Sequence, residues 1–253
     1  MFHLAGDLAL GLDPALMFAA AVGPPDQWQA DALRSRAPRM LWNASRQSGK
    51  STVAAALAVH RATYRAGSLI LLVSPSQRQS GELFTKARGI YRSIGEPVAI
   101  RAESALRLEL ENSSRIISLP GAEGTIRGYS GVSLLILDEA ARIDDDLYVA
   151  CRPMLAVSGG RLLALSTPFG RRGWWFEAWS DGGPGWERVR VTAHDCPRIG
   201  AEFLEHEKAE MDDWHFRQEY MTEFADNADA AFNADLIRAA LSDDVKPLIV
   251  RAR

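Results

Sequence analysis

Two cysteines in 253 residues, Cys151 and Cys196, are too few and too far apart to build a disulfide framework, and their spacing matches no metal knuckle. The five histidines (His3, His60, His194, His206 and His215) are scattered and suggest no common site. An excess of one charge is missing too. Twenty-nine Lys and Arg face 32 Asp and Glu, a formal net charge of −3, so no global positive field advertises nucleic acid. Any such contact has to come from a local patch or from surfaces clustered in an oligomer. No apolar run approaches the roughly 20 residues that cross a bilayer. The first 16 residues carry Asp7 and Asp13 and no basic segment, which argues against a signal peptide. We find no internal repeat and no low-complexity tract. A protein of the reducing cytoplasm, with no membrane partner, fits these absences. What is present is ample apolar content, 47%, for one large domain or one domain with a small appendage.

The most informative stretch is Ser45-Arg46-Gln47-Ser48-Gly49-Lys50-Ser51-Thr52. It follows an apolar run (Met40, Leu41, Trp42) and precedes an alanine-rich helical run from Val53 to His60. The pattern is strand, tight loop, helix. Backbone N–H groups at a helix mouth all point one way and attract anions. Lys50 beside them can reach the outer phosphates of a nucleotide, and the Ser51 hydroxyl can ligate magnesium, with Thr52 as a weaker substitute. The usual phosphate-loop template begins with a glycine, where this sequence has Ala44. Alanine tolerates positive φ poorly, so a different backbone path is expected at the loop entry. An ordinary strand-to-helix turn capped by Ser48 is the plain alternative. It leaves a second motif unexplained: Leu134-Leu135-Ile136-Leu137-Asp138-Glu139, a buried parallel strand tipped with two acids. Asp138 suits a magnesium ion, and Glu139 suits a base that polarises an attacking water.

The remaining organisation reads as strands alternating with helices, hence an α/β fold with a mainly parallel sheet covered on both faces. Residues 1–22 form a helical prelude broken at Gly23-Pro24-Pro25. Asp26 caps a helix to about Arg36. Core strands are expected at 39–43, 69–74, 134–137 and 161–166, with a hairpin over 107–119 and a late or edge strand over 186–192. The ATPase-like core spans 23–198, a polar helical lid or linker spans 199–242, and 243–253 is a connecting tail.

At this point several motifs converge on one family. The chain resembles the ATPase half of the large terminase subunit, the motor that packages DNA into tailed-phage capsids. Gln27-Trp28-Gln29-Ala30-Asp31 looks like that family's aromatic-Gln adenine motif. Ser45 to Ser51 is similar to its deviant phosphate loop (Walker A), with Arg-Gln and no first glycine. Val73-Ser74-Pro75-Ser76-Gln77-Arg78-Gln79 is similar to the segment after its second strand. Thr125-Ile126-Arg127-Gly128 running into Leu137-Asp138-Glu139-Ala140 resembles its Arg-Gly and acidic-strand block (Walker B). Ser166-Thr167-Pro168-Phe169-Gly170 looks like its coupling motif. Together these reach from about residue 24 to residue 235.

The resemblance implies a P-loop NTPase of RecA-like (ASCE) type, using ATP and Mg²⁺. It implies Lys50 on the β- and γ-phosphates, Ser51 and Asp138 on the metal, and Glu139 as catalytic base. It gives Arg46 as a sensor acting in cis and Arg127 as an arginine finger offered to a neighbouring subunit. Gln29 would read the adenine edge, Ser45, Gln47, Ser48, Gly49 and Thr52 would line the phosphates, and Thr167 would sense the γ-phosphate. Implied partners are double-stranded DNA, a portal protein, a small terminase subunit and further copies in a homo-oligomeric ring. Each arginine also has a plain reading, as a group paired with a nearby acid or bracing a loop. Arg161, Arg171 and Arg172 suggest part of a DNA-facing patch or a solvated basic face. Trp28 and the cluster Trp174, Trp175, Trp179 read more readily as core than as base-stacking groups. The family usually continues into a ribonuclease H-like nuclease, for which this sequence offers no carboxylate cluster. Leu248-Ile249-Val250 has the look of that domain's first strand. A superfamily 2 helicase would need a second RecA-like domain with its own arginines. A non-hydrolysing nucleotide-binding or assembly module, or a prophage remnant, is the reading from another class.

Overall fold

In the computed structural model, the residues described are 4–121, 126 and 128–224. The prelude is two helices, α1 (Leu4–Leu12) and α2 (Pro14–Ala21). Asp13 separates them by accepting the Ala15 N–H, and Pro14 occupies the first turn, where its missing N–H does no harm. α3 (Gln27–Arg34) starts in a capping box between Asp26 and Gln29. β1 (Arg39–Ala44) then leads through the loop into α4 (Lys50–Tyr64), closed off by Gly67 at φ +70°. β2 (Leu69–Ser74) and α5 (Gln77–Ser93) follow.

β3 (Ile100–Ser104) is a strand that the sequence pattern does not announce, because its residues are mostly exposed and show no apolar alternation. β4 (Arg107–Leu110) and β5 (Arg115–Pro120) form the expected antiparallel hairpin. β6 (Leu134–Asp138) precedes α6 (Asp145–Cys151), a short helix also not expected from sequence. β7 (Arg161–Ser166), α7 (Gly173–Ser180) and β8 (Glu187–Val191) complete the sheet. α8 (Ala201–Glu210) and α9 (Asp213–Glu219) follow, within the stretch expected to form a polar helical lid or linker. Arg127, the later part of that stretch and the tail lie outside the described residues.

The eight strands run in the order β3-β4-β5-β2-β6-β7-β1-β8. From β5 to β8 every pairing is parallel, and β8 is an edge strand beside β1. Strand side chains alternate between two cores. Met40, Trp42, Ile70, Leu72, Ile136, Leu163 and Leu165 join α2, α3, α4 and α5 on one face. Leu41, Leu71, Val73, Leu135, Leu137 and Ala164 join α6 and α7 on the other. α4 is buried from Val53 to Val59, which its small residues allow, since alanines let it approach both the sheet and the outer helices. The prelude is part of this first core through Ala15, Met17 and Phe18.

The tryptophans behave as core. Trp28 meets Trp42 edge-on at 6.2 Å. Trp174 stacks on Tyr148 at 4.0 Å and donates its indole N–H to the Ile143 carbonyl. Both cysteines are free and buried, and burial pushes the Cys151 thiol up to about 12, so it is inert. Among the described residues no helix is long and apolar enough to cross a membrane.

Candidate functional site

β7 lies between β1 and β6, so the loop after β1 and the acids ending β6 face each other across the end of β7. The register sets Asn43 beside Ser166, and Leu165 beside Asp138. Three strand ends therefore converge: Ser45 to Gly49 after β1, Thr167 after β7, and Asp138-Glu139 at β6. Open parallel sheets place ligands at such carboxyl ends.

Ala44 ends β1 as an ordinary, fully buried strand residue. The expected departure at the loop entry is thus resolved simply: the path stays extended one residue longer, and the positive φ values fall on Gln47 (+58°) and Gly49 (+89°). Gly49, not Ser48, occupies the N-cap of α4. The Ser48 hydroxyl turns back instead and donates to the Ser45 carbonyl at 2.8 Å. A Cβ on Gly49 would sit 2.9 Å from Gln29 Nε2. Gly49→Ala should therefore cost about 1–3 kcal/mol in a urea titration, because it adds both left-handed strain and a steric conflict inside the loop.

Lys50 is only 7% exposed, and its ammonium stands 4.0 Å from the Glu139 carboxylate. The Ser51 hydroxyl lies 3.4 Å and 3.5 Å from the two Asp138 oxygens. Asp138 is buried, and desolvation, reinforced by the neighbouring Glu139 charge and opposed by Lys50, pushes its carboxyl up to about 6. Glu139 sits at φ +52°, ψ +44°, an unusual backbone for a non-glycine residue and of the kind that clusters at functional sites. The donor set, a hydroxyl and a carboxylate on hard oxygen atoms, fits a magnesium ion.

The other expected residues take more specific positions. Gln29 is 2% exposed and its amide is committed on both sides: Oε1 accepts the Asp26 N–H at 3.0 Å, and Nε2 donates to the Ser48 carbonyl at 3.2 Å. It braces the loop from behind. Arg46 points outward. Its Nε lies 2.6 Å from Glu219 Oε2 and its backbone N–H donates to the Glu219 carbonyl at 3.1 Å. Thr167 is buried at the strand end. The suggested grouping of Arg161 with Arg171 and Arg172 is corrected here. Arg161 begins β7, whereas the other two follow its carboxyl end, so the length of the strand separates them. Arg161 donates to the Ser35 and Ala37 carbonyls, Arg171 to the Phe224 carbonyl, and Arg172 lies over the Phe169 ring.

Three residues that sequence reasoning passed over tie the loop and the end of β1 to residues 198–222. Arg198 bridges Asp26 at 2.7 Å and the Ser48 carbonyl at 3.1 Å. Glu219 holds Arg46. Asn43 donates to the Thr222 carbonyl at 2.9 Å. A charged residue after Pro197 and an acid ending a polar helix carry no local signal of such contacts.

Comparison with known proteins agrees with this geometry. Residues 41–239 match the family described as terminase large subunit, T4likevirus-type, N-terminal. The large terminase subunit of Thermus phage G20c is 27% identical over 259 residues, covering 88% of this chain and 53% of the relative. This chain thus spans about half the length of the curated relatives it matches. Among solved structures, the large terminase ATPase domain of Thermus phage P74-26 superposes with a TM-score of 0.72 at 24% identity, over 82% of this chain and 97% of that one. The large terminase of a thermophilic bacteriophage, in complex with ADP, gives 0.67 at 12% identity, over 80% of this chain and 54% of that one. With its fold shared by these structures and most of its length matched by the family, the chain belongs to the T4likevirus-type terminase large subunits and corresponds to their N-terminal region.

Proposed function

We propose that this chain is a magnesium-dependent ATPase whose cycle drives double-stranded DNA into a viral procapsid, as the ATPase part of a packaging motor in the host cytoplasm. The observation that carries the reading is the placement of Lys50 and Glu139 4.0 Å apart across the mouth of the loop, beside the Ser51–Asp138 pair. A large terminase that shares this fold has been solved in complex with ADP, which supports nucleotide binding by this chain.

Ser51 and Asp138 would hold Mg²⁺, which when bound supplies charge neutralisation across the phosphates. The loop N–H groups and Lys50 bind and orient the triphosphate. Glu139 accepts a hydrogen bond from a water held in line with the γ-phosphoryl group and takes its proton as the new P–O bond forms and the bond from the γ-phosphorus to the β,γ-bridging oxygen breaks, releasing ADP. Thr167, at the end of the strand between the two motifs, is the group best positioned to sense loss of the γ-phosphate. For Arg46 to stabilise charge on the phosphoryl oxygens it must exchange Glu219 for the nucleotide, and that exchange would loosen the lid's hold on the loop. Arg127 as a finger acting on a neighbouring subunit is supported by family resemblance alone. Portal protein, small terminase subunit and ring assembly are proposed on the same ground.

ATP turnover measured across a series of protein concentrations, with and without DNA, tests the reading. Specific activity should climb steeply with concentration, because an arginine finger in trans is worth on the order of 10³–10⁵ in rate. A flat specific activity would leave Arg46 as the only arginine acting at the site. Absence of turnover at any concentration would end the motor reading.

A further inference from the structure

A cavity of about 800 Å³ opens at the opposite end of the sheet, around the amino ends of β6 and β7. Five arginines line it: Arg34, Arg36, Arg61, Arg65 and Arg161. The buried Leu33 and Leu57 back it, and Leu12 stands exposed at its edge. The lining carries one carboxylate, Asp13, which is taken by Arg34 at 2.8 Å. Among the described residues no carboxylate comes within 4.0 Å of Arg36, Arg61, Arg65 or Arg161. In a chain with more acids than bases, this is a concentrated positive site.

The arginines differ in what they already do. Arg161 is spent on the Ser35 and Ala37 carbonyls. Arg61 donates from Nη2 to the Ser133 carbonyl at 3.2 Å, but its Nε is buried with no acceptor. Burial, then the fields of Arg65 and Arg161, hold the Arg61 guanidinium below its ordinary range. An anion in the cavity would offset the charge of this partly buried, poorly compensated guanidinium. Arg36 and Arg65 are exposed at the rim, with their forks uncommitted.

We propose that this cavity binds a phosphate group of a nucleotide, free or within a strand, at a site separate from the phosphate loop. Guanidinium forks match phosphate oxygens in pairs. Three cations suit a doubly charged phosphate better than a single carboxylate. The volume far exceeds one phosphate and falls in the range of small-molecule sites, on the order of 300–1,000 Å³. Leu12, which also lines the cavity and is exposed, offers an apolar surface for the sugar or base.

The test uses the chain carrying Lys50→Ala, which empties the phosphate loop, so that hydrolysis and this site are read separately. Pyrophosphate, a mononucleotide, a labelled ten-nucleotide single strand and poly-glutamate are titrated at 50 and 200 mM salt. Phosphate ligands should bind, and adding Arg36→Glu with Arg65→Glu should weaken them at least tenfold. Both side chains are exposed and unbonded, so the fold persists, which circular dichroism checks. If the mononucleotide binds as tightly as the strand, the source is a free nucleotide. If the strand binds tighter and the double variant loses salt dependence, on the order of 0.7 in log–log slope per phosphate contact, the source is a strand. The proposal is overturned if no phosphate ligand binds the Lys50→Ala chain, if the double variant binds unchanged, or if only poly-glutamate binds.

Discussion

Replacing Glu139 with Gln should leave nucleotide affinity within a few-fold and lower ATP turnover by roughly 10²–10⁴. Gln keeps the volume and tolerates the same left-handed backbone at φ +52° as well as Glu does, so the loop after β6 should not rearrange. The variant loses the ability to accept a proton from water. It also loses the negative partner 4.0 Å from Lys50, which leaves that ammonium free for the phosphates. Affinity should hold or rise while hydrolysis falls, the signature of a group that acts in the transition state. Equilibrium binding of a labelled nucleotide alongside phosphate release separates the two. A variant that hydrolyses at the wild-type rate would remove Glu139 from the mechanism.

Replacing Asp138 with Asn should make the ligand-free protein more stable while destroying its function. In this fold the Asp138 carboxyl is raised from 3.8 to about 6, first by burial and then by Glu139. A raised carboxyl pKa means that the folded state holds its proton more tightly than the unfolded state does. Stability from this group is therefore undiminished below pH 4, declines as pH rises between 4 and 6, and is fully lost above 6. A shift of this size corresponds to about 3 kcal/mol. Asn is the neutral shape mimic, so Asp138→Asn should gain up to ~3 kcal/mol at pH 8 and nearly nothing at pH 4. Urea titrations at the two pH values read this directly. An equal effect at both would show that the carboxylate carries no such penalty. Added magnesium and nucleotide should reverse the order, because a neutral amide oxygen would hold the ion more weakly than the carboxylate we propose as its ligand.

Much of the fold can be read from local pattern. Leu69 to Ser74 and Leu134 to Leu137 are unbroken apolar runs of the kind that fully covered parallel strands require, and both are strands. The helix from Lys50 starts at its glycine and stops before Gly67, as backbone chemistry demands. β3 escaped because an exposed edge strand needs no apolar alternation. α6 escaped because its acidic first turn resembles a loop.

At the site, the convergence of Lys50, Ser51, Asp138 and Glu139 is legible because each belongs to a short motif. The bonds that hold the loop in place are not. Glu219 lies 173 residues from Arg46, and Arg198 lies 150 from Ser48. Nothing local distinguishes these from solvated charges. Gln29 shows the same limit from the other side. Its motif marks it as important, yet only the three-dimensional arrangement reveals that its amide is occupied by Asp26 and Ser48.

The Ser48 carbonyl has a consequence of its own. One oxygen atom receives both Gln29 from α3 and Arg198 from the segment before α8. Any shift of that peptide plane must slacken both tethers in the same instant. A single rotating amide would therefore broadcast one event to two distant stretches of the polypeptide, with no relay of intervening side chains and no delay between the two listeners.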